Sequence, residues 1–121
     1  MPYPDDVGIM ILVKGIIVHA NKAAAEMHNT DADNLRGKAF IDLFCACDSD
    51  GIRHGIKETI AKKLKSKKKG MFRALTADGE MINVLGTSKH CTWNGEEAVM
   101  AIGRKIDTPV QMPLKFGAGD R

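Results

Sequence analysis

Cysteine and histidine are the residues of this sequence whose side chains are best suited to metal binding, redox chemistry or proton transfer. Cys45 and Cys47 form a Cys-x-Cys pair, and Cys91 stands alone. An odd number of cysteines at this spacing fits neither a disulfide framework nor the Cys-x-x-Cys pairs of a structural zinc site. We therefore expect reduced, partly buried thiols at these positions.

The four histidines are spread along the chain rather than clustered. We expect His19, His28 and His90 to be surface or hydrogen-bonded residues rather than metal ligands. The sequence has no Gly-rich phosphate loop, no His-Glu-x-x-His pair, and no Ser or Cys nucleophile with an identifiable base nearby in the sequence. These features predict a protein that is not an enzyme.

The composition is that of one globular domain. The chain has 121 residues, of which 44% are hydrophobic and 27% are charged, so a single core is expected. No apolar stretch reaches the roughly 18 residues that a membrane helix needs, and the N-terminal residues lack the basic start of a secretory signal. We expect a cytoplasmic protein without a membrane span.

Much of the basic excess in the net charge of +3 lies in one run, Lys62 to Lys69. A lysine-rich helix end is favoured by the helix dipole. Few aromatic residues accompany the run, so side chains for base stacking are scarce. We expect a solvated helix terminus, and a nucleic-acid site is the disfavoured alternative.

The first part of the chain predicts two strands and then a helix. Val7 to Val13 is a continuous apolar run, rich in Ile and Val and too short for an average helix. Lys14 and Gly15 predict a tight turn into a second strand, Ile16 to Val18, which would form a hairpin with the first. Asn21 is a good N-cap, and strong helix formers follow it.

The middle of the chain predicts short helices and one longer helix. Phe40, Leu43 and Phe44 fall on one face of a brief helix. Asp-Ser-Asp-Gly, residues 48–51, opens the longer helix. Its core face is expected to carry the residues that recur every four positions, Ile52, Ile56, Ile60 and Leu64.

The last part of the chain predicts three consecutive antiparallel strands, joined by turns at Asp78-Gly79 and Asn94-Gly95. The whole order predicts an α+β fold, a five-stranded antiparallel sheet with short helices and one longer helix packed on one face. We expect residues 7–107 to form this domain. Residues 1–6 would be an N-terminal extension, and residues 108–121 a linker or C-terminal tail.

The ordered series of these segments resembles the PAS domain family. The similar segments are Ala-Asn-Lys-Ala-Ala-Ala-Glu-Met, Leu-Arg-Gly-Lys-Ala-Phe-Ile-Asp-Leu-Phe, the Ala-Asp-Gly-Glu hairpin, and a last strand ending Gly-Arg-Lys-Ile-Asp. The resemblance implies a sensory and protein-interaction module with a cavity between its sheet and its helices. Such modules are usually attached to an effector such as a kinase, a cyclase or a transcription factor.

The resemblance leaves the cofactor unknown, because PAS domains hold flavin, haem, other small molecules or nothing. The reactive cysteine of the light-sensing flavin subfamily falls on Phe40 here, so a flavin adduct is not expected. PAS haem sensors resemble this sequence in carrying a histidine on the long helix, here His54. On a regular helix His54 points about 140° away from the centre of the isoleucine stripe, and we expect it to be exposed. A haem-based gas or redox sensor with His54 as axial ligand stays an alternative.

The helix-sheet interior is either a packed core or an apolar cavity that holds a small ligand. The candidate interior and ligand-binding residues are Met27, Phe40, Phe44, Ile56, Ile60, Phe72, Met100 and Ile102. No acidic, Arg or amide side chain is identified among them to orient a ligand.

Both faces of the first strand are apolar, with Ile9 and Ile11 on one face and Met10 and Leu12 on the other. Something should cover the outer face, and we expect a homodimer or the C-terminal tail. No heptad follows Lys105, so an effector domain or signalling protein is expected on a flexible linker. A ligand-free dimerisation module is the alternative from a different functional class.

Overall fold

The computed structural model describes residues 7–65 and 69–106. Five strands are present: β1 (Gly8–Val13), β2 (Ile16–Ala20), β3 (Gly70–Leu75), β4 (Met81–Trp93) and β5 (Glu96–Ile106). Three α-helices lie between β2 and β3: α1 (Lys22–Met27), α2 (Ala32–Leu35) and α3 (Ser49–Ala61). Two short 3-10 helices, Phe40–Leu43 and Ala46–Asp48, precede α3. The expected N-terminal extension, the expected tail and the middle of the lysine run lie outside the described residues.

The strands form one antiparallel sheet in the order β2-β1-β5-β4-β3. The central contact is between β1 and β5, where Ile9 lies opposite Ile102 and Leu12 opposite Val99. The helices pack on one face of this sheet, so the predicted fold class is confirmed. Within the described residues the longest helix has 13 residues, and none could cross a membrane.

Turn chemistry sets the register of the sheet. Asn94 and Gly95 both have positive φ, at 51° and 83°, which is the conformation of a type I′ hairpin turn. Because the turn has two residues, Trp93 must pair with Glu96, and every later pair along β4 and β5 follows from it. A two-residue turn of the same kind, with positive φ at Lys14 and Gly15, joins β1 to β2.

Asn21 connects the start of α1 to the first strand. Its side-chain oxygen accepts hydrogen bonds from the N–H of Ala24 and the N–H of Ile9, each at 2.9 Å. Its amide nitrogen donates to the carbonyl of Val7 at 3.0 Å. The Asn21 side chain therefore caps α1, as predicted. It also fixes the position of α1 over the start of β1.

The core lies between the helical layer and the inward face of β1, β2 and β5. Its buried members are Met10, Leu12, Ile17, Ala20, Ala24, Ala25, Leu35, Leu43 and Val99. Alternation along the strands places the strand members of this core on the same face of the sheet, and the helices supply the other members. This core holds the side of the domain nearest α1 and α2.

One sequence expectation about α3 differs from the structure. The helix ends at Ala61, so Leu64 lies beyond it rather than on its core face. Lys63 takes a positive φ of 48°, and the N–H of Leu64 returns to the carbonyl of Thr59 at 3.0 Å. A lysine-rich segment with no apolar residue after Leu64 gives the helix no further surface to bury, and the chain turns here instead.

The expectation of reduced thiols is wrong for two of the cysteines. Cys45 and Cys47 are joined by a disulfide in the segment between Leu43 and α3. A Cys-x-Cys pair can close this way only where the local backbone brings both side chains to one side, which spacing alone does not reveal. Cys91 is a free, half-buried thiol whose pKa is raised by burial, with nearby Lys89 lowering it in part.

Candidate functional site

Four glycines lie side by side across the sheet. Gly8 on β1 is opposite Gly103 on β5. On β4, Gly86 is opposite Gly103 on one side and Gly70 on the other. A Cβ atom on Gly8 would lie 3.0 Å from the Cα of Ala24 in α1, so this glycine row is on the face that the helices cover. The row leaves bare backbone beneath the helical layer.

The bare backbone forms part of the floor of a cavity of about 290 Å³ between the sheet and the helices. Its walls include Met10, Leu12, Val84, Val99 and Ala101 from the sheet, Ala24 from α1, and Gly51, Ile52 and Gly55 from α3. Among the described residues that line it, none is Asp, Glu, Lys or Arg. The cavity is therefore apolar and favours uncharged occupants.

Six of the eight predicted interior residues line this cavity: Met27, Phe40, Phe44, Ile56, Phe72 and Ile102. Ile60 packs against the core without lining the cavity. Met100 lies between Val99 and Ala101, which both line it, so strand alternation puts the Met100 side chain on the opposite face. By the same alternation Ile102 reaches the cavity with its backbone, which the neighbouring glycines leave uncovered.

Three phenylalanines form one wall of the cavity. The ring centroids of Phe40 and Phe44 are 4.9 Å apart, and those of Phe44 and Phe72 are 6.3 Å apart in an edge-to-face arrangement. The Phe72 ring also lies over the β3 end of the glycine row, 3.1 Å from where a Cβ of Gly70 would be. The wall therefore presents aromatic surface next to a flat floor.

His54 borders the cavity and is exposed. It therefore lies at the rim, on the first half of α3, and not at the closed end of the cavity. An axial haem ligand must point into an enclosed pocket, so the position of this ring does not suit that role. The described residues also contain no group of three or more His, Cys, Asp or Glu side chains that could hold a metal ion.

His28, at the end of α1, is the buried polar residue of the cavity lining. His28 is only 3% exposed, and its Nδ1 lies 2.8 Å from the carbonyl oxygen of Leu75 on β3. Burial lowers the pKa of His28, and the hydrogen bond to Leu75 offsets this only in part. The imidazole is therefore neutral at pH 7.

A second buried polar contact joins α3 to the sheet. Thr59 is completely buried, and its hydroxyl donates to the carbonyl of Gly55 at 2.8 Å. The same Oγ1 lies 2.9 Å from the Oγ of Ser88, which lines the cavity. These contacts set the depth at which the C-terminal part of α3 lies over β4.

The start of α3 is fixed by an ion pair to β3. The Asp48 carboxylate accepts hydrogen bonds from the backbone N–H of Arg73 at 2.8 Å and from its guanidinium at 3.1 Å. Partial burial raises the pKa of Asp48, but the bonds and charge of Arg73 outweigh it, so the pKa is lowered overall. Together with Thr59, this pair positions α3 as one wall of the cavity.

Sequence reasoning missed the polar members of the site. His28 and Ser88 carry no motif, and Thr59 lies outside the isoleucine stripe. Part of the glycine row could have been predicted from the sequence. The two-residue turn at Asn94-Gly95 fixes the β4–β5 register, and this register pairs Gly86 with Gly103.

The antiparallel sheet, its single helical layer and the cavity between them define the architecture of a sensory domain. The chain belongs to the PAS domain family, whose model matches residues 6–106. PAS domains are sensory and interaction modules, generally regulatory rather than catalytic. Among curated proteins, none matches this sequence.

Solved structures share the fold at low sequence identity. The PAS domain of a Colwellia psychrerythraea protein is 16% identical, with a TM-score of 0.72 over 84% of this chain and 86% of that one. Drosophila melanogaster Cycle PAS-B, with bound ethylene glycol, is 14% identical, with a TM-score of 0.71 over 82% and 99%. The PAS domain of a LuxR-family transcriptional regulator from Burkholderia thailandensis, in complex with ethanol, is 17% identical, with a TM-score of 0.67 over 84% and 90%.

Proposed function

We propose that this PAS domain senses a small molecule held in the cavity and regulates an effector attached to it or bound to it. The observation that carries the proposal is the apolar cavity of about 290 Å³ between the glycine row and α3. This volume is close to the lower limit of ligand pockets in proteins, which begin at about 300 Å³. The expected occupant is smaller than a drug-sized molecule.

The response would come from α3, the wall of the cavity that carries two glycines within a helix. Gly51 and Gly55 lie on its cavity side, one turn apart. Each glycine inside a helix costs about 1 kcal/mol relative to alanine, so the helical conformation of this part of α3 is weakened between its contacts at Asp48 and Thr59. A ligand that contacts α3 better in one position than in another would shift the population towards that position.

The similar structures support a small-molecule occupant. The Burkholderia thailandensis domain is in complex with ethanol, and the Drosophila melanogaster domain has bound ethylene glycol. Both are uncharged molecules of a few heavy atoms, as the lining of this cavity favours. The spectrum of the purified protein distinguishes such ligands from the haem alternative, which requires a Soret band.

Native mass spectrometry of the full chain tests the proposal. We expect the protein to retain a small molecule, either co-purified or added, that is released on denaturation. Gly86→Val would place methyl groups above the cavity floor, with the Cβ in a tight 3.3 Å contact with the backbone oxygen of Ile102, and should abolish retention in a variant whose circular dichroism shows that it is folded. Thr92→Val, at an exposed position of the same strand, is the matched control and should retain the ligand. Equal retention by wild type and Gly86→Val would contradict the proposal.

We further propose that a second copy of the domain covers the outer face of the sheet. Apolar residues with outward side chains are Ile9, Ile11, Val13, Ile16, Leu85 and Met100, and Ile16 is 39% exposed. Such an apolar surface across β2, β1 and β5 favours association over exposure to water. The interface would transmit a displacement of the sheet to the partner copy or to the effector.

A further inference from the structure

The hydroxyl proton of Thr59 determines what Ser88 can offer to a ligand. A threonine hydroxyl has one proton, and in Thr59 this proton is donated to the carbonyl of Gly55. In the 2.9 Å contact between Thr59 and Ser88, the Thr59 oxygen can therefore only accept. Ser88 must donate its own proton to Thr59. The Ser88 oxygen therefore presents only a lone pair to the cavity, and it can accept a hydrogen bond from a ligand but not donate one.

His28 is restricted in the same way. A carbonyl oxygen cannot donate, so the Nδ1 of His28 at 2.8 Å from the Leu75 oxygen must carry the ring proton. The imidazole is buried and neutral, and its Nε2 then has no proton. The ring edge that Leu75 does not occupy therefore presents a lone pair.

The two inward polar side chains of the cavity thus both accept hydrogen bonds and donate none. The other side chains of the inward lining are apolar or glycine, apart from His54 at the rim. An acceptor on the ligand would find no side-chain donor beside Ser88 or His28, and a carboxylate would be desolvated without a positive partner.

We infer that the ligand is an uncharged, flat, mainly apolar molecule that carries a hydrogen-bond donor, such as a phenol or an indole N–H. The flat glycine floor and the phenylalanine wall suit a planar ring. Ser88 or His28 accepts the hydrogen bond that the N–H or O–H group of the ligand donates. This inference rests on the proposed function, since it names the class of ligand for the same cavity. Thr59 acts indirectly: because it accepts the hydrogen bond from Ser88, Ser88 can only accept a hydrogen bond from the ligand.

Three bicyclic probes of nearly identical shape test this inference by calorimetry on the full chain. Indole carries an N–H donor, indene carries a CH₂ group, and benzofuran carries an ether oxygen that only accepts. We expect indole to bind about fivefold more tightly than either of the others, because one neutral hydrogen bond contributes about 1 kcal/mol. Ser88→Ala and His28→Leu should each reduce this preference.

Thr59→Val provides the sharpest variant, because valine keeps the shape of the side chain but takes away the acceptor of the Ser88 proton. Ser88 can then donate to a ligand. The preference for indole over benzofuran should shrink several-fold, while the preference for indole over indene changes less. If Thr59→Val does not fold, Ser88→Ala tests the same acceptor without altering the Thr59–Gly55 bond.

The outcomes separate this inference from the proposed function. A preference for indole that Ser88→Ala or His28→Leu weakens supports the inference. Equal binding of the three probes, or tighter binding of benzofuran, overturns the inference while leaving a ligand-binding cavity in place. Failure of all three probes to bind, and of any small molecule to be retained in native mass spectrometry, overturns both.

Discussion

Gly86 lies directly opposite Gly103 in the β4–β5 pair, and both line the cavity. Two facing glycines in the middle of a sheet sacrifice side-chain packing and conformational entropy. Here they remove the side chains that would otherwise fill the space under α3. The position of the cavity is thus determined by a register, and the register by a two-residue turn.

Gly103 cannot accept a side chain without rearrangement. A Cβ at this position would lie 2.9 Å from the Cγ1 of Val84, so Gly103→Ala should destabilise the domain by about 1–3 kcal/mol through overpacking. Urea unfolding followed by circular dichroism measures this change. The double variant Gly103→Ala with Val84→Ala should recover part of the loss, whereas simple addition of the two penalties would contradict the assigned clash.

The opposite result is expected for Gly51 in α3, where a Cβ would meet no atom within 4 Å. Gly51→Ala should stabilise the domain by about 0.5–1 kcal/mol, because alanine is the better helix former. The same urea experiment measures it. If α3 is the responsive wall, this variant should also change ligand affinity, and an unchanged stability would show that Gly51 is not held in a helix.

Asn21 should be the most sensitive cap of the domain. Asn21→Ala removes the bond to Ala24, the bond to Ile9 on β1 and the bond to Val7 just before β1, so we expect a loss of about 2 kcal/mol or more. Asp31→Ala is the matched control, since Asp31 caps α2 through Asn34 at an exposed site and should cost only about 1 kcal/mol. Equal losses would mean that Asn21 acts only as a helix cap.

His28 should make the domain less stable in mild acid. Burial lowers its pKa in the folded state below the ordinary value of 6.5, so the unfolded chain takes up a proton first as the pH falls. Stability is then unaffected by this residue above about pH 6.5 and decreases below it. Urea midpoints at pH 7.5 and 5.5 measure the change. His28→Leu should flatten the dependence, and an equally steep dependence in the variant would contradict the assignment.

Self-association should depend on the outer face of the sheet. Met100 is half-buried there, opposite Ile11, and Met100→Lys should shift the chain from dimer to monomer. Light scattering over a range of concentrations measures this. Lys57→Glu, an exposed charge change on α3, should leave the dimer intact. A wild-type chain that stays monomeric at high concentration would contradict the proposed interface.

Local patterns were sufficient to predict the elements and their order. The Asn21 cap and the hairpin dipeptides are local chemistry, and they specify where strands end and helices begin. Six of the predicted interior residues also line the cavity.

The polar contacts of the site could not be predicted in this way. Thr59 and Ser88 are 29 residues apart in sequence, and His28 and Leu75 are 47 apart, so these pairs exist only once α1 and α3 are placed on the sheet. Met100 was predicted in the interior but lies on the outer face of the sheet. Alternation along a strand distinguishes two faces but does not say which of them the helices cover.

The most direct test of the account is the location of bound indole by intermolecular NOEs in NMR spectra of the full chain. The account predicts contacts from the ring protons to the Cα protons of Gly86 and Gly103 and to Phe72, and a contact from the N–H to Ser88 or His28. Contacts from the indole to Met100 and Ile16 on the outer face, with none to the glycine row, would contradict it.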